Sequence, residues 1–128
     1  MSGYKSAHLD DIAAEQWPYW APIRHHFDIG AFGINAWRGT DGDEVIKRHT
    51  ESESGQEELF LVLSGRCTFS VGGDEIAAPA GTIVYVSDAG VERVAFAQED
   101  GTVVLSIGAT RGTLFEPSGW DTGYLESA

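Results

Sequence analysis

The sequence predicts an all-β fold, built as a sandwich or a closed barrel. Three observations carry this. Apolar residues fall in short runs of about five to seven residues, several of which alternate with period two. Clusters of Gly, Asp and Pro separate the runs at short intervals. No stretch shows the apolar spacing of a long helix.

Taken in order, "LDDIAAEQW" near the start has room for one or two helical turns at most. "AFGINAW" (Ala31 to Trp37) is a short aromatic strand closed by the turn "RGTDGDE". "EVIKRHTE" alternates, which puts Val45, Lys47, His49 and Glu51 on one face and Ile46, Arg48 and Thr50 on the other. "ELFLVL" is apolar at every position, as a strand covered on both faces would be. "RCTFSV" alternates again, and "GGD" (Gly72 to Asp74) reads as a hairpin turn. "APAG", "SDAG" and "QEDG" are turns that bracket the strands "TIVYV", "VERVAFA" and "TVVLSIG". The ends, "EQWPYWAPIRHHF" and "LFEPSGWDTGYLESA", are aromatic and carry Pro. They read as arms on a single domain, 1–128, whose barrel core spans about 31–108.

Composition excludes several functions. A formal net charge of −12 with no basic stripe repels phosphates, so neither nucleic acid nor a membrane surface is an expected partner. No run approaches a membrane span, and "MSGYKSAHLDD" lacks a secretory h-region. Cys67 is the one cysteine, which removes intramolecular disulfides and cysteine zinc cages and makes a cytoplasmic location the default. Mid-strand beside Phe69, Cys67 reads as a buried small hydrophobe. There is no phosphate loop and no serine or cysteine triad.

The middle of the chain resembles the cupins, a family of small jelly-roll β-barrels. Glu58 is followed by "LFLVLS" and then Gly65, as the Glu and Gly of the family's first motif are spaced, and "PAGTIVYVSDAGVER" keeps the leading Gly81 of the second. The resemblance covers roughly Ala31 to Gly108 and implies a cupin-like jelly roll and a homodimer. The departures fall on the ligands. The first motif's His is His49, but its second His position is Glu51. Its Glu is Glu58, or Glu57 given the long loop "SESGQE". The second motif's His falls at Glu92.

If that alignment holds, His49, Glu51, Glu58 and Glu92 all face the barrel interior. One imidazole with carboxylates is a hard donor set, suited to Mn, Fe(II) or Mg better than Cu if a divalent metal is held, and metal-free otherwise. The expectation is no cofactor, with such a metal as the alternative. His49 suits general acid or base work, Glu51 or Glu58 would orient it or share the proton, and Tyr85 is a further donor. Asn35, Trp37, Phe60, Phe69 and Glu92 are the expected ligand-binding residues, since aromatic walls with a few polar groups mark small-molecule sites. His25 and His26, read as extended, would point to opposite sides. The leading reading is a barrel that binds a small, largely apolar organic molecule, with metal-independent isomerase, cyclase or dehydratase chemistry. The alternatives are a metal-dependent dioxygenase or isomerase and a non-catalytic sensing or interaction barrel.

Overall fold

The alternation and turn signals are realised as nine strands among the described residues, 3–12 and 14–121, of the computed structural model. In chain order they are β1 (Trp20–Ala21), β2 (Gly33–Gly39), β3 (Glu44–His49), β4 (Glu57–Ser64), β5 (Arg66–Val71), β6 (Asp74–Pro79), β7 (Ile83–Val86), β8 (Arg93–Ala97) and β9 (Thr102–Ala109). A 3₁₀ turn covers Leu9–Asp11, and a short helix, α1 (Ile23–Phe27), follows β1. His25 and His26 therefore lie on a helical turn and not on an extended segment.

Every strand pairing is antiparallel. One sheet runs β1-β2-β9-β4-β7 and the other β3-β8-β5-β6. They enclose a shared core in the expected all-β jelly roll. Phe60 from β4 and Phe69 from β5 meet across it with ring centroids 5.5 Å apart, flanked by Val62, Val104, Ala95 and Ala97. The β5–β6 hairpin turns on Gly72 and Gly73 at φ +58° and +90°, the left-handed pair that a two-residue turn needs. Cys67 is buried in the core, and burial pushes its thiol up to about 11.

Two strands depart from the alternation read in the sequence. β3 carries register shifts between Glu44 and Ile46 and between Ile46 and His49, so Val45 and Ile46 are both buried. Each bulge resets which face a side chain takes. β4 is not covered on both sides: Phe60 and Val62 point into the core, Leu59 and Leu61 are half-buried, and Leu63 is exposed.

The N-terminal arm covers the neighbouring strands β2 and β9. Ile12 and Ala21 pack on Ala36, joined by Leu9, Ile23, Phe27, Val103 and Leu105, so the N-terminal arm shields the β2–β9 side of the outer sheet face. The C-terminal segment returns across the barrel end. Gln56 Nε2 donates to the Glu116 carbonyl at 3.3 Å, and Arg24 Nε and Nη2 donate to the two oxygens of buried Asp121 at 3.1 and 3.3 Å. His25 Nε2 contacts the same carboxylate. The rest of the C-terminal arm, 122–128, lies outside the described residues.

Candidate functional site

A cavity of about 620 Å³ opens at one end of the barrel. β2 contributes Asn35 and Trp37, β3 and the loop after it contribute His49, Glu51 and Glu53, β4 contributes Glu58 and Phe60, and β9 contributes Ser106. Ser118, Gly119 and Trp120 of the C-terminal segment complete the wall. The bulged end of β3 turns His49 toward the cavity, opposite Arg93 of β8.

The surroundings of His49 fix its protonation. Nδ1 lies 2.5 Å from the Lys47 carbonyl, which can only accept, so Nδ1 carries a hydrogen. Nε2 lies 3.0 Å from Glu51 Oε2 and 3.2 Å from Glu58 Oε1, again acceptors. With acceptors on both sides the ring is held as an imidazolium. Burial works against that charge, but the hydrogen bonds to Glu51 and Glu58, with the Lys47 carbonyl, outweigh it and push the imidazole up to about 10. For Glu51, burial raises the carboxyl, and hydrogen bonds from His49 and Ser54 more than reverse this, leaving it lowered.

Glu58 has a second partner that the sequence reading missed. Arg93 is fully buried, and its Nη1 donates to Glu58 Oε1 at 2.8 Å. Its other donors hold the 88–91 turn: Nε reaches the Val91 carbonyl at 3.0 Å, and Nη2 reaches those of Val91, Asp88 and Ala89 at 2.7, 3.2 and 3.4 Å. Two carboxylates, one imidazolium and one guanidinium thus balance.

The donor set raises the question of a divalent ion. His49, Glu51 and Glu58 offer three donor atoms within 4.8 Å of one another, which suits a divalent ion by count. The charge does not suit it. An ion would have to expel the Nε2 proton and share Glu58 with a buried guanidinium that cannot deprotonate. By count His49, Glu51 and Glu58 could hold a divalent ion, and the Arg93 guanidinium on Glu58 is the charge that competes with it.

Four expected positions move. Glu92 faces solvent and pairs with Arg48 at 2.7 Å, because β8 turns Arg93, Ala95 and Ala97 inward, one residue out of step with the expected face. Phe69 lies beneath Phe60 in the core and does not line the cavity. Tyr85 is on the outer face, where its hydroxyl donates to Glu57 Oε2 at 2.8 Å; that bond raises its phenol. Glu57, the alternative to Glu58, points outward with it and also meets Arg111. Asn35, Trp37, Phe60, His49, Glu51 and Glu58 all line the cavity. Ser106 and Trp120 were missed. Ser106 is the polar residue inside "TVVLSIG", in step with Val104, which is a readable signal.

His49 predicts a pH-dependent stability. Its charge is favoured in the fold, so its contribution is fully present below the unfolded imidazole's 6.5 and is lost as pH rises through about 10. Discounted for partial solvent screening, the loss is about 1–3 kcal/mol. Urea unfolding at pH 7 and pH 10.5 should show wild type falling by that much more than His49→Gln; equal falls in the two proteins would refute it.

No family model matches the chain, and no curated protein matches it. Solved structures do. A cupin protein from Bacteroides fragilis superposes with a TM-score of 0.71 at 18% identity, covering 92% of this chain and 93% of its own. A protein from Thermus thermophilus gives 0.65 at 17% identity, covering 84% and 98%. An RmlC-like cupin from Shewanella frigidimarina gives 0.53 at 17% identity, covering 65% and 70%.

Proposed function

The chain has the cupin fold, and we propose that it binds a small, largely apolar organic molecule in the barrel cavity and exchanges a proton with it through His49, without a metal. The observation that carries this reading is the placement of His49 Nε2 between Glu51 and Glu58, with the Arg93 guanidinium on Glu58. Trp37, Phe60 and Trp120 give the cavity its apolar walls.

The chemistry follows from the proton inventory. His49 Nε2 is the donor toward a substrate oxygen. Donation leaves a neutral imidazole beside two carboxylates, which is a strong base and retakes a proton from carbon or water. The cycle uses no net proton, which suits isomerisation, cyclisation or dehydration. Glu51 holds the ring by its Nε2 edge, and the Lys47 carbonyl holds the other.

Two measurements test the reading. In ¹⁵N NMR at pH 8, both ring nitrogens of His49 should appear protonated. Elemental mass spectrometry of tag-free protein incubated with Mn and Fe(II) should find no stoichiometric metal. A stoichiometric ion that disappears in His49→Ala would replace this reading with the metal-dependent one.

The expected homodimer is also a proposal. Its support is the apolar outer face beyond the N-terminal arm: Leu63, Ile83 and Tyr85 are 44%, 60% and 52% exposed on β4 and on β7, which ends its sheet. Light scattering after gel filtration should give a dimer for wild type and a monomer for Ile83→Lys. A wild-type monomer that persists as the protein is concentrated would discard it.

A further inference from the structure

Asn35 and Ser106 are cross-strand partners in the β2–β9 ladder, and both line the cavity. Both are more than nine-tenths buried, at 8% and 6% exposure. Each has its acceptor taken by a tryptophan. Trp20 Nε1–H donates to Asn35 Oδ1 at 2.7 Å, and Trp37 Nε1–H donates to Ser106 Oγ at 3.1 Å.

An indole nitrogen can only donate, so the Asn35 atom facing Trp20 is the carbonyl oxygen. The amide NH₂ is then directed elsewhere. Among the described residues, neither that NH₂ nor the Ser106 hydroxyl hydrogen has a protein acceptor. Two tryptophans thus convert two amphoteric side chains into a pair of donors on neighbouring strands. Among the described residues no fully buried side-chain nitrogen or oxygen lacks a hydrogen-bond partner, so the Asn35 NH₂ is reachable from the cavity it lines, where water or a ligand can accept from it.

We infer that Asn35 and Ser106 form a donor pair that binds the neutral carbonyl oxygen of the cavity's ligand. This rests on the reading of the cavity as a small-molecule site. The ligand is a ketone, aldehyde, ester or amide with a flat apolar body, since Trp37 and Trp120 stand 5.9 Å apart, centroid to centroid, as adjoining walls. A carbonyl is favoured over a carboxylate because His49 and Arg93 are already matched by Glu51 and Glu58, and Glu53 on the same wall would repel a further anion.

The test compares acetophenone, ethylbenzene and benzoate by NMR titration of the whole chain. Acetophenone should bind about three- to tenfold tighter than ethylbenzene, the yield of one or two hydrogen bonds exchanged with water. It should also shift the Asn35 side-chain amide resonances, which ethylbenzene should leave in place. Asn35→Asp keeps an acceptor for Trp20 but removes the NH₂, and should erase the preference for ketone over hydrocarbon. The wild-type amide resonances and Ser106→Ala carry the test if that variant does not fold. Equal binding of ketone and hydrocarbon, with the amide unmoved, overturns the donor pair and leaves the cavity reading standing. Tighter binding of benzoate overturns the neutral-carbonyl assignment. No binding by any of the three overturns the cavity reading and the inference with it.

Discussion

Arg93→Met is expected to destabilise the fold by about 3–5 kcal/mol, the usual cost of removing one member of a buried ion pair. Two losses combine. The Glu58 carboxylate, with its side chain 13% exposed, is left beside Glu51 with only His49 for compensation. The carbonyls of Asp88, Ala89 and Val91 lose the donors that fold their turn. Urea unfolding measures the total, and a loss below about 1 kcal/mol would contradict the role given to the guanidinium. Pairing the change with Glu58→Leu should restore much of the stability, because the stranded charge goes too. The single variant should also gain affinity for Mn, since the competing cation has been removed. Unchanged Mn binding would mean that Arg93 is not what keeps a divalent ion out.

Gly65→Ala should be nearly as damaging, at about 3 kcal/mol or more. Gly65 alone joins β4 to β5, at φ +74°. A Cβ there would stand 2.3 Å from Thr102 Oγ1 and 2.6 Å from Thr102 Cα. A hydroxyl can rotate away, but a backbone atom of a β9 residue cannot move without the strand. Thr102 is itself fully buried, and its hydroxyl donates to the Glu99 carbonyl at 2.7 Å. Gly73→Ala is the control: its φ is +90°, yet nothing lies within 4 Å of an added Cβ. It should cost only the left-handed strain, about 1–2 kcal/mol. Similar losses at the two positions would show that contact with Thr102 is not what demands glycine at 65.

The same glycine shows why the fold was legible in the sequence. Turn residues announce themselves chemically, as Gly72 and Gly73 do in the hairpin. A strand such as "RCTFSV" states its inward face by alternation. The site was less legible, because it depends on parity at strand ends. "VERVAFA" offers apolar residues on either face, so counting alone put Glu92 inside where Arg93 is. That one-residue slip exchanged an anion for a cation at the centre of the site. The bulges of β3 carry no Gly or Pro to mark them, since they fall within "EVIKRH". The contributions of Asp121 and Trp120 depend on contacts with residues some hundred positions away, which no local pattern encodes.

The arms bring together every indole of the chain. Trp17, Trp20, Trp37 and Trp120 form one cluster: the rings of Trp17, Trp37 and Trp120 lie 5.3, 6.0 and 5.3 Å from that of Trp20, centroid to centroid. The protein's tryptophan emission therefore reports a single place, the mouth of the barrel, and is silent about β5, β6 and β8. A fluorescence melt follows detachment of the arms, while far-ultraviolet circular dichroism follows the sheets. Coincident transitions mean that arms and barrel form one cooperative unit. An earlier fluorescence transition means that the binding end loosens first, on a barrel that is still folded.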